Sequence, residues 1–416
     1  MRFLRAIKQG AGILSDFEIW PFSLLVILSI FSEVFLPFTI AYGIFFWHVR
    51  WVAFGRPSVA LPSNLPIFLL LLTIVVSIYA TPLLGTSMPN VLRLLSGILF
   101  YFSISNWAKT QARIKLLLFG FLALGFLLGA VAIIVVNFSE KFAFLQSILA
   151  NLKSFSFTSS VHPNVMGGNL ILFLIGILAI SIFRWYSLRI YARIGLGLII
   201  LFLLAILILT QSRGALIALA LGLCLLTVLK FKRGWIPITI ILVVSMLAIL
   251  QIGPQRVWNS IASETGGAGS LASREEIWMR AKIMLQDFPL TGIGMGTYGD
   301  VADTLYPFAH VAVFVSHAHN LFMQIGLDLG LPGLITWLSA WIIFILMSWQ
   351  LFQNDEINSR AIGAAGLCIM AGMGIHGLMD AVTWDTRPAI IVWGIWGLIS
   401  AEWIIQRQSR KMGEGV

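Results

Sequence analysis

The chain is written as long apolar runs separated by short polar punctuation. A helix that crosses a bilayer needs roughly 17 to 25 predominantly apolar residues. Applied along the sequence, that requirement predicts about twelve helices, over 19–33, 37–54, 65–81, 90–106, 114–137, 163–183, 190–209, 213–230, 234–252, 319–349, 360–380 and 388–406. The stretch Glu33 to Pro37 is so tight a turn that 19–54 also reads as re-entrant pieces. The run 319–349 is too long for one simple span, and Gly330 with Pro332 predicts a short helix and a break before the crossing part. The expected fold class is all-α, a polytopic membrane protein in three divisions: nine spans over 1–252, a loop over 253–318, and three spans over 319–416.

The segment from about 253 to 316 is the one long hydrophilic stretch, and loops of that length are kept mainly for function. Within it Ser273-Arg274-Glu275-Glu276 reads as a capping box, with Ser273 as N-cap and Glu276 three residues on. Ile277, Trp278, Ala281, Met284 and Leu285 then recur at helical spacing. They predict an amphipathic helix lying on the membrane surface, with Arg274, Arg280 and Lys282 toward its wet side. Gly292-Ile293-Gly294-Met295-Gly296-Thr297 has the look of a phosphate loop but lacks its lysine and its strand-to-helix setting. A second loop, about 138–162, ends in Val161-His162-Pro163-Asn164. Pro in the first turn behind His162 is good helix-start chemistry, so His162 and Asn164 read equally as structural or as substrate contacts.

Composition agrees with the pattern. With 59% hydrophobic and 11% charged residues and a mean hydropathy of +0.95, the chain far exceeds the apolar content of an average soluble domain. Arg2, Arg5 and Lys8 precede the run from Ile19, which no small-residue cleavage pattern follows, so an uncleaved first span is expected. Cys224 and Cys368 both lie in apolar stretches and imply neither a disulfide framework nor a zinc site.

Charge adds orientation. With a cytoplasmic N-terminus, Arg2/Arg5/Lys8, Arg50/Arg56, Lys109/Arg113/Lys115, Arg184/Arg189/Arg193, Lys230/Lys232/Arg233, Arg360 and Arg407/Arg410/Lys411 all fall on one side, as the positive-inside rule requires. The net charge of +10 is thereby a topology signal, and no nucleic-acid partner is expected. Arg93, Lys141, Lys153, Arg213, Arg256, Arg274, Arg280, Lys282 and Arg387 remain for the extracytoplasmic side. For Lys141, Lys153 and Arg256 the simpler reading is solvated charge paired with loop carboxylates. Elsewhere, guanidiniums near a membrane surface suit a diphosphate or an anionic head group, whose oxygens match the planar fork.

The most informative stretch is Ser316-His317-Ala318-His319-Asn320, two imidazoles and an amide at the start of an apolar span. An ionisable group is expensive there unless it performs chemistry or meets water. Arg213 sits in Thr210-Gln211-Ser212-Arg213-Gly214-Ala215, a turn where two spans meet. It is either snorkelling to lipid phosphate or placed for an anionic ligand. His376 and Asp380, one helical turn apart, read as a satisfied intramembrane pair or as the lining of a polar pocket with Asp385 and Arg387. A zinc site from His310, His317 and His319 lacks an evident fourth ligand, so no metal is expected.

Gln211-Ser212-Arg213-Gly214-Ala215, the stretch from Arg274 through Trp278, Pro289 with Gly292-Ile293-Gly294-Met295-Gly296, and His317-Ala318-His319-Asn320 with Gly330 and Gly333 together resemble the O-antigen ligase and polymerase superfamily. A His-Asn pair, nine residues, Gly, two residues and a small residue form the ligase motif, which falls on His319, Asn320, Gly330 and Gly333. The resemblance implies a bacterial inner-membrane glycosyltransferase working at the periplasmic face. It would move a glycan from undecaprenyl diphosphate to the lipid A-core oligosaccharide among membrane lipids, without cofactor or metal and with inversion. By motif His319 matches the essential histidine and Arg213 the essential arginine; Arg274 matches a second loop arginine, with Arg280 as a further diphosphate ligand. His317, Asn320, His162 and Asn164 are supporting candidates, and His317 either orients the base or is a structural neighbour. Rival readings are the repeat-unit polymerase, the protein O-oligosaccharyltransferase and, in a different class, a transporter of lipid-linked glycan, which would show repeated halves and charges at the midplane.

Overall fold

The computed structural model describes residues 2–136, 138, 161–253, 271–309 and 314–413. The apolar runs fold as helices: α1 (Arg2–Asp16), α2 (Ile19–Phe31), α3 (Leu36–Phe54), α4 (Asn64–Ala80), α5 (Leu84–Trp107), α6 (Gln111–Val135), α7 (Pro163–Arg184), α8 (Ile190–Thr210), α9 (Arg213–Lys230) and α10 (Trp235–Ile252). There follow α11 (Leu271–Asp287), α12 (Tyr298–Leu305), α13 (Leu321–Phe352), α14 (Ile357–Gly377), the single turn α15 (Val382–Asp385) and α16 (Ile390–Gly413). No strand occurs among the described residues; an isolated bridge pairs Val136 with Val161.

A helix coincides with each expected span, but length and apolarity qualify fewer of them for crossing a membrane. Among the described residues seven pass, namely α5, α6, α7, α8, α9, α13 and α16, or eight if α1 and α2, bent by 45°, make one broken span. The shortfall has a physical reason. The α4 helix has only 17 residues. Helix α14 is built largely from Gly, Ala and Ser and is surrounded by other helices, with Ala361, Ala364, Cys368 and Met373 all buried. In lipid, close approach through small residues replaces the hydrophobic drive between helices. Ile175 of α7 shows this: a Cβ on Gly222 of α9 or on Gly372 of α14 would lie 2.8 Å or 2.6 Å from its Cδ1. These three helices thereby lock around one side chain.

Helices α5, α13 and α16 enclose a second aromatic centre in which Trp396 stacks on Phe344 at 4.5 Å between ring centroids. The buried Tyr101 hydroxyl bonds Ser63 at 2.6 Å and Ser400 at 3.3 Å, so its polar end is satisfied inside apolar surroundings. Two of the basic residues expected on the extracytoplasmic side are structural: Arg93 and Arg387 share Glu33, at 3.1 Å and 3.4 Å. Lys141, Lys153, Arg256 and His310 lie outside the described residues.

Two expectations for the loop are corrected. Ser273 is inside α11, which already begins at Leu271, so it is not the N-cap, and Glu276 instead accepts the Ala309 amide at 2.5 Å. The apolar stripe of α11 does not lie free for a membrane surface. Ile277, Ala281 and Met284 are buried against Ile293, Tyr298, Ala302, Val315, Ala318 and Leu327, the start of α13 and the chain before it. The break in α13 falls where expected: Gly330 has φ 72° and ψ 177°. The segment that looked like a phosphate loop straps this break, with Ile293 N–H donating to Leu327 O and Leu331 N–H to Pro289 O, both at 2.7 Å. Gly292 and Gly294 have φ of +67° and +107°, and a Cβ on either would strike protein, Leu327 O or Thr81. The close backbone approach there is to the chain itself.

Candidate active site

The ligase-motif residues divide by role. Asn320 is the N-cap of α13, its Oδ1 accepting from Phe322 N–H and Met323 N–H at 3.0 Å each, while Nδ2 donates to Leu378 O at 3.2 Å. Gly330 supplies the break, and a Cβ on it would meet Leu290 O at 2.5 Å. A side chain on Gly333 would collide with Leu329. Three of the four positions therefore shape backbone, and only His319 offers reactive chemistry.

His317 and His319 extend from the turn before α13 with ring centroids 4.2 Å apart. Both meet Asp380, which follows α14 and is only 4% exposed. His317 Nε2 lies 2.9 Å from Asp380 Oδ1 and His319 Nδ1 lies 3.6 Å from the same oxygen. On its other side His317 Nδ1 is 2.9 Å from Ser316 Oγ and 3.7 Å from Asp385 Oδ2. The two rings are thus unequal: His317 sits between two carboxylates, whereas His319 has one at arm's length.

That difference sets their protonation in opposite directions. Burial pulls the His317 imidazole down, but the hydrogen bond and charge of Asp380 and the charge of Asp385 outweigh it, leaving His317 above the ordinary histidine value. Burial also dominates at His319, and there the nearby His317 and Arg274 add to it, so His319 is held below its ordinary value against the pull of Asp380. Burial pushes Asp380 up, yet its two imidazole partners hold it well below the usual carboxylate range. Asp385 is raised, chiefly by burial, with His317 and Arg93 opposing. Neighbouring titratable groups pushed apart in this way are suited to separate acid and base tasks.

Arginine approaches from two elements. Arg274 of α11 reaches Met379 Sδ with Nη1 at 3.9 Å and is close enough for its charge to bear on both imidazoles. Arg213 opens α9 directly after the buried Thr210-Gln211-Ser212 turn, and a Cβ on its neighbour Gly214 would lie 3.8 Å from His376 Nε2 and 3.9 Å from Met379 Cβ. Among the described residues, Gln211 and His319 are the two non-glycine residues with left-handed backbone, φ 51° and 47°. Both lie in this region, where such costly conformations tend to gather.

The remaining candidates are placed differently. Arg280 lies 3.9 Å from Glu276 within α11. His162 caps α7, Nδ1 accepting the Asn164 amide at 3.2 Å, which is the structural role weighed for it. The first turns of α7 nevertheless border the site, because a Cβ on Gly167 would strike Ser212 and one on Gly168 would strike His376. The pairing of His376 with Asp380 is replaced: α14 ends at Gly377, and the carboxylate beyond that end turns to His317.

Asp380 and Asp385 as partners of the histidine turn were not read from sequence, although acids at the end of an apolar span were a usable signal. Among the described residues, His317, His319 and Asp380 are also the one group whose possible metal-ligand atoms all lie within 4.8 Å of one another.

No curated protein matches the chain. The O-antigen ligase family model matches residues 198–338, about a third of the chain, including the Arg213 turn, Arg274, both imidazoles and the break in α13. Over that segment the chain is similar to the O-antigen ligase family, within a helical protein whose several apolar helices mark it as multi-pass in the membrane.

Proposed function

We propose that the protein is an O-antigen ligase, transferring a glycan from undecaprenyl diphosphate to the lipid A-core oligosaccharide at the periplasmic face of the bacterial inner membrane. The observation that carries this reading is the convergence of two unequal imidazoles on Asp380 beside Arg274 and the Arg213 turn. A sugar hydroxyl is a weak nucleophile, and a neutral imidazole can take its proton as it attacks. With Nδ1 of His319 turned toward Asp380, Nε2 is the atom for that task, and burial keeps the ring neutral near pH 7. The acceptor oxygen bonds to the anomeric carbon as the bond from that carbon to the diphosphate oxygen breaks. Undecaprenyl diphosphate departs with the electron pair, and one displacement inverts the centre.

Charge growing on the leaving diphosphate is met by Arg213 and Arg274, whose guanidinium forks suit phosphate oxygens. Arg280 is the outer member of this set. His317, raised by its two carboxylates against burial, holds Asp380 in place rather than acting as the base. In this reading the described residues of the loop between the spans of 1–252 and those of 319–416, namely 271–309 and 314–318, cap the site.

The test offers purified protein both lipid A-core and lipid-linked repeat units as acceptors. Glycan appearing on lipid A-core supports the ligase. Lengthening of the lipid-linked chain alone would make it a repeat-unit polymerase, transfer to protein an O-oligosaccharyltransferase, and ion-coupled movement of donor in liposomes a transporter.

A further inference from the structure

The peptide that joins the two imidazoles is gripped on both edges. Ala318 is fully buried; its N–H donates to Gln324 Oε1 at 2.8 Å and its carbonyl accepts from Trp278 Nε1 at 3.0 Å. The Gln324 amide can offer oxygen to Ala318 only with its nitrogen turned the other way. Asp328 Oδ1 receives that nitrogen at 2.8 Å. The same oxygen accepts the Gly296 amide at 3.1 Å, and Oδ2 accepts Trp384 Nε1 at 2.7 Å. Gln324 and Asp328 are 0% and 1% exposed, so water cannot substitute for a lost partner.

Every partner of this carboxylate is an N–H donor, which makes an acceptor-only group the right chemistry. We propose that Asp328 is a positioning residue for transfer: by fixing which way the Gln324 amide points, it fixes the backbone that presents His317 and His319. Trp384, one residue before Asp385, ties the same carboxylate to the turn that faces His317. The histidine turn needs such a hold, because His319 adopts φ 47°, a strained conformation that persists only when its surroundings over-determine it. An isosteric Asn at 328 must aim its own amide hydrogens either at Trp384 or at Gln324 and Gly296 together. If it aims them at Gln324, that amide flips and two N–H groups meet at Ala318.

This inference rests on His319 being the base, and the experiment separates the two. Asp328→Asn, Gln324→Leu and His319→Ala are purified and assayed for transfer per folded molecule, with donor KM, kcat and thermal midpoint measured for each. Misplacing a reacting group by about 1 Å costs up to about a hundredfold. Asp328→Asn and Gln324→Leu are therefore expected to lose about ten- to a hundredfold in kcat with donor KM within about twofold. Should Asp328→Asn not fold, Gln324→Leu decides, since it removes the Ala318 contact and leaves Asp328 its other two donors. Lowered thermal midpoints with wild-type kcat, while His319→Ala is inactive, would overturn the positioning role and leave the base standing. An active His319→Ala would overturn the base itself.

Discussion

Asp380→Asn keeps the shape of the side chain at the centre of the site and removes its charge. In the native protein this carboxylate accepts His317 Nε2 and the Ala381 amide, each at 2.9 Å, and lies 3.6 Å from His319. A hydrogen bond to a charged group contributes about 1.5–3 kcal/mol. If that interaction serves the reaction by holding the imidazole pair, its loss corresponds to roughly a 10- to 150-fold fall in the plateau rate. The pH profile carries a second signature. Asp380 raises both imidazoles, so without it His317 falls and His319 falls further, and the acid limb of the rate moves to lower pH as the plateau drops. The assay is glycan transfer by purified protein across pH, normalised to folded protein from size exclusion and thermal unfolding. A wild-type plateau with an unmoved acid limb would refute the assignment of Asp380 to the imidazoles' chemistry.

Other expectations are more local. Arg213→Ala should lower transfer about a hundred- to a thousandfold, and Arg213→Lys should recover only part of it because the planar fork is gone; wild-type turnover in the alanine variant would return Arg213 to lipid anchoring. Asn320→Ala removes the cap of α13 and should cost about 0.5–2 kcal/mol. Asn320→Asp retains an acceptor and should keep most of that stability, as thermal unfolding would report. For topology, single cysteines replacing Asp303 and Lys232 in a background without Cys224 and Cys368 should be labelled from the periplasm at 303 and not at 232; the reverse pattern would overturn the orientation.

What could be read from the sequence follows the range of the forces involved. Apolar runs and the Gly330–Pro332 break are set by local requirements, so helix positions and the interruption of α13 were visible in the order of residues. The histidine turn also stands out in the sequence, as two imidazoles at the start of an apolar span. The partners of that turn were not visible, because Asp380 and Asp385 come more than sixty residues later and reach it only through the packing of α13, α14 and α15. Helical periodicity pointed Asp380 toward His376, and beyond the end of α14 at Gly377 its amide still bonds the His376 carbonyl while its carboxylate turns to His317. Ser273 failed as a cap for a similar reason, since α11 already covers it. Gln324, Asp328 and Trp384 look in the sequence like stray polar residues in apolar runs, and only the fold joins them into one network.

The central claim, that His319 acts as a base without a metal ion, is tested most directly by the transfer rate of purified wild type and His319→Ala in the presence of chelator at saturating donor. General-base removal typically costs about a hundred- to ten-thousandfold. The wild type should keep its full rate in chelator, and His319→Ala should fall within that range while donor affinity stays within about twofold. A wild-type enzyme that stops in chelator and recovers with a divalent ion, or a His319→Ala variant that turns over at the wild-type rate, would contradict the account.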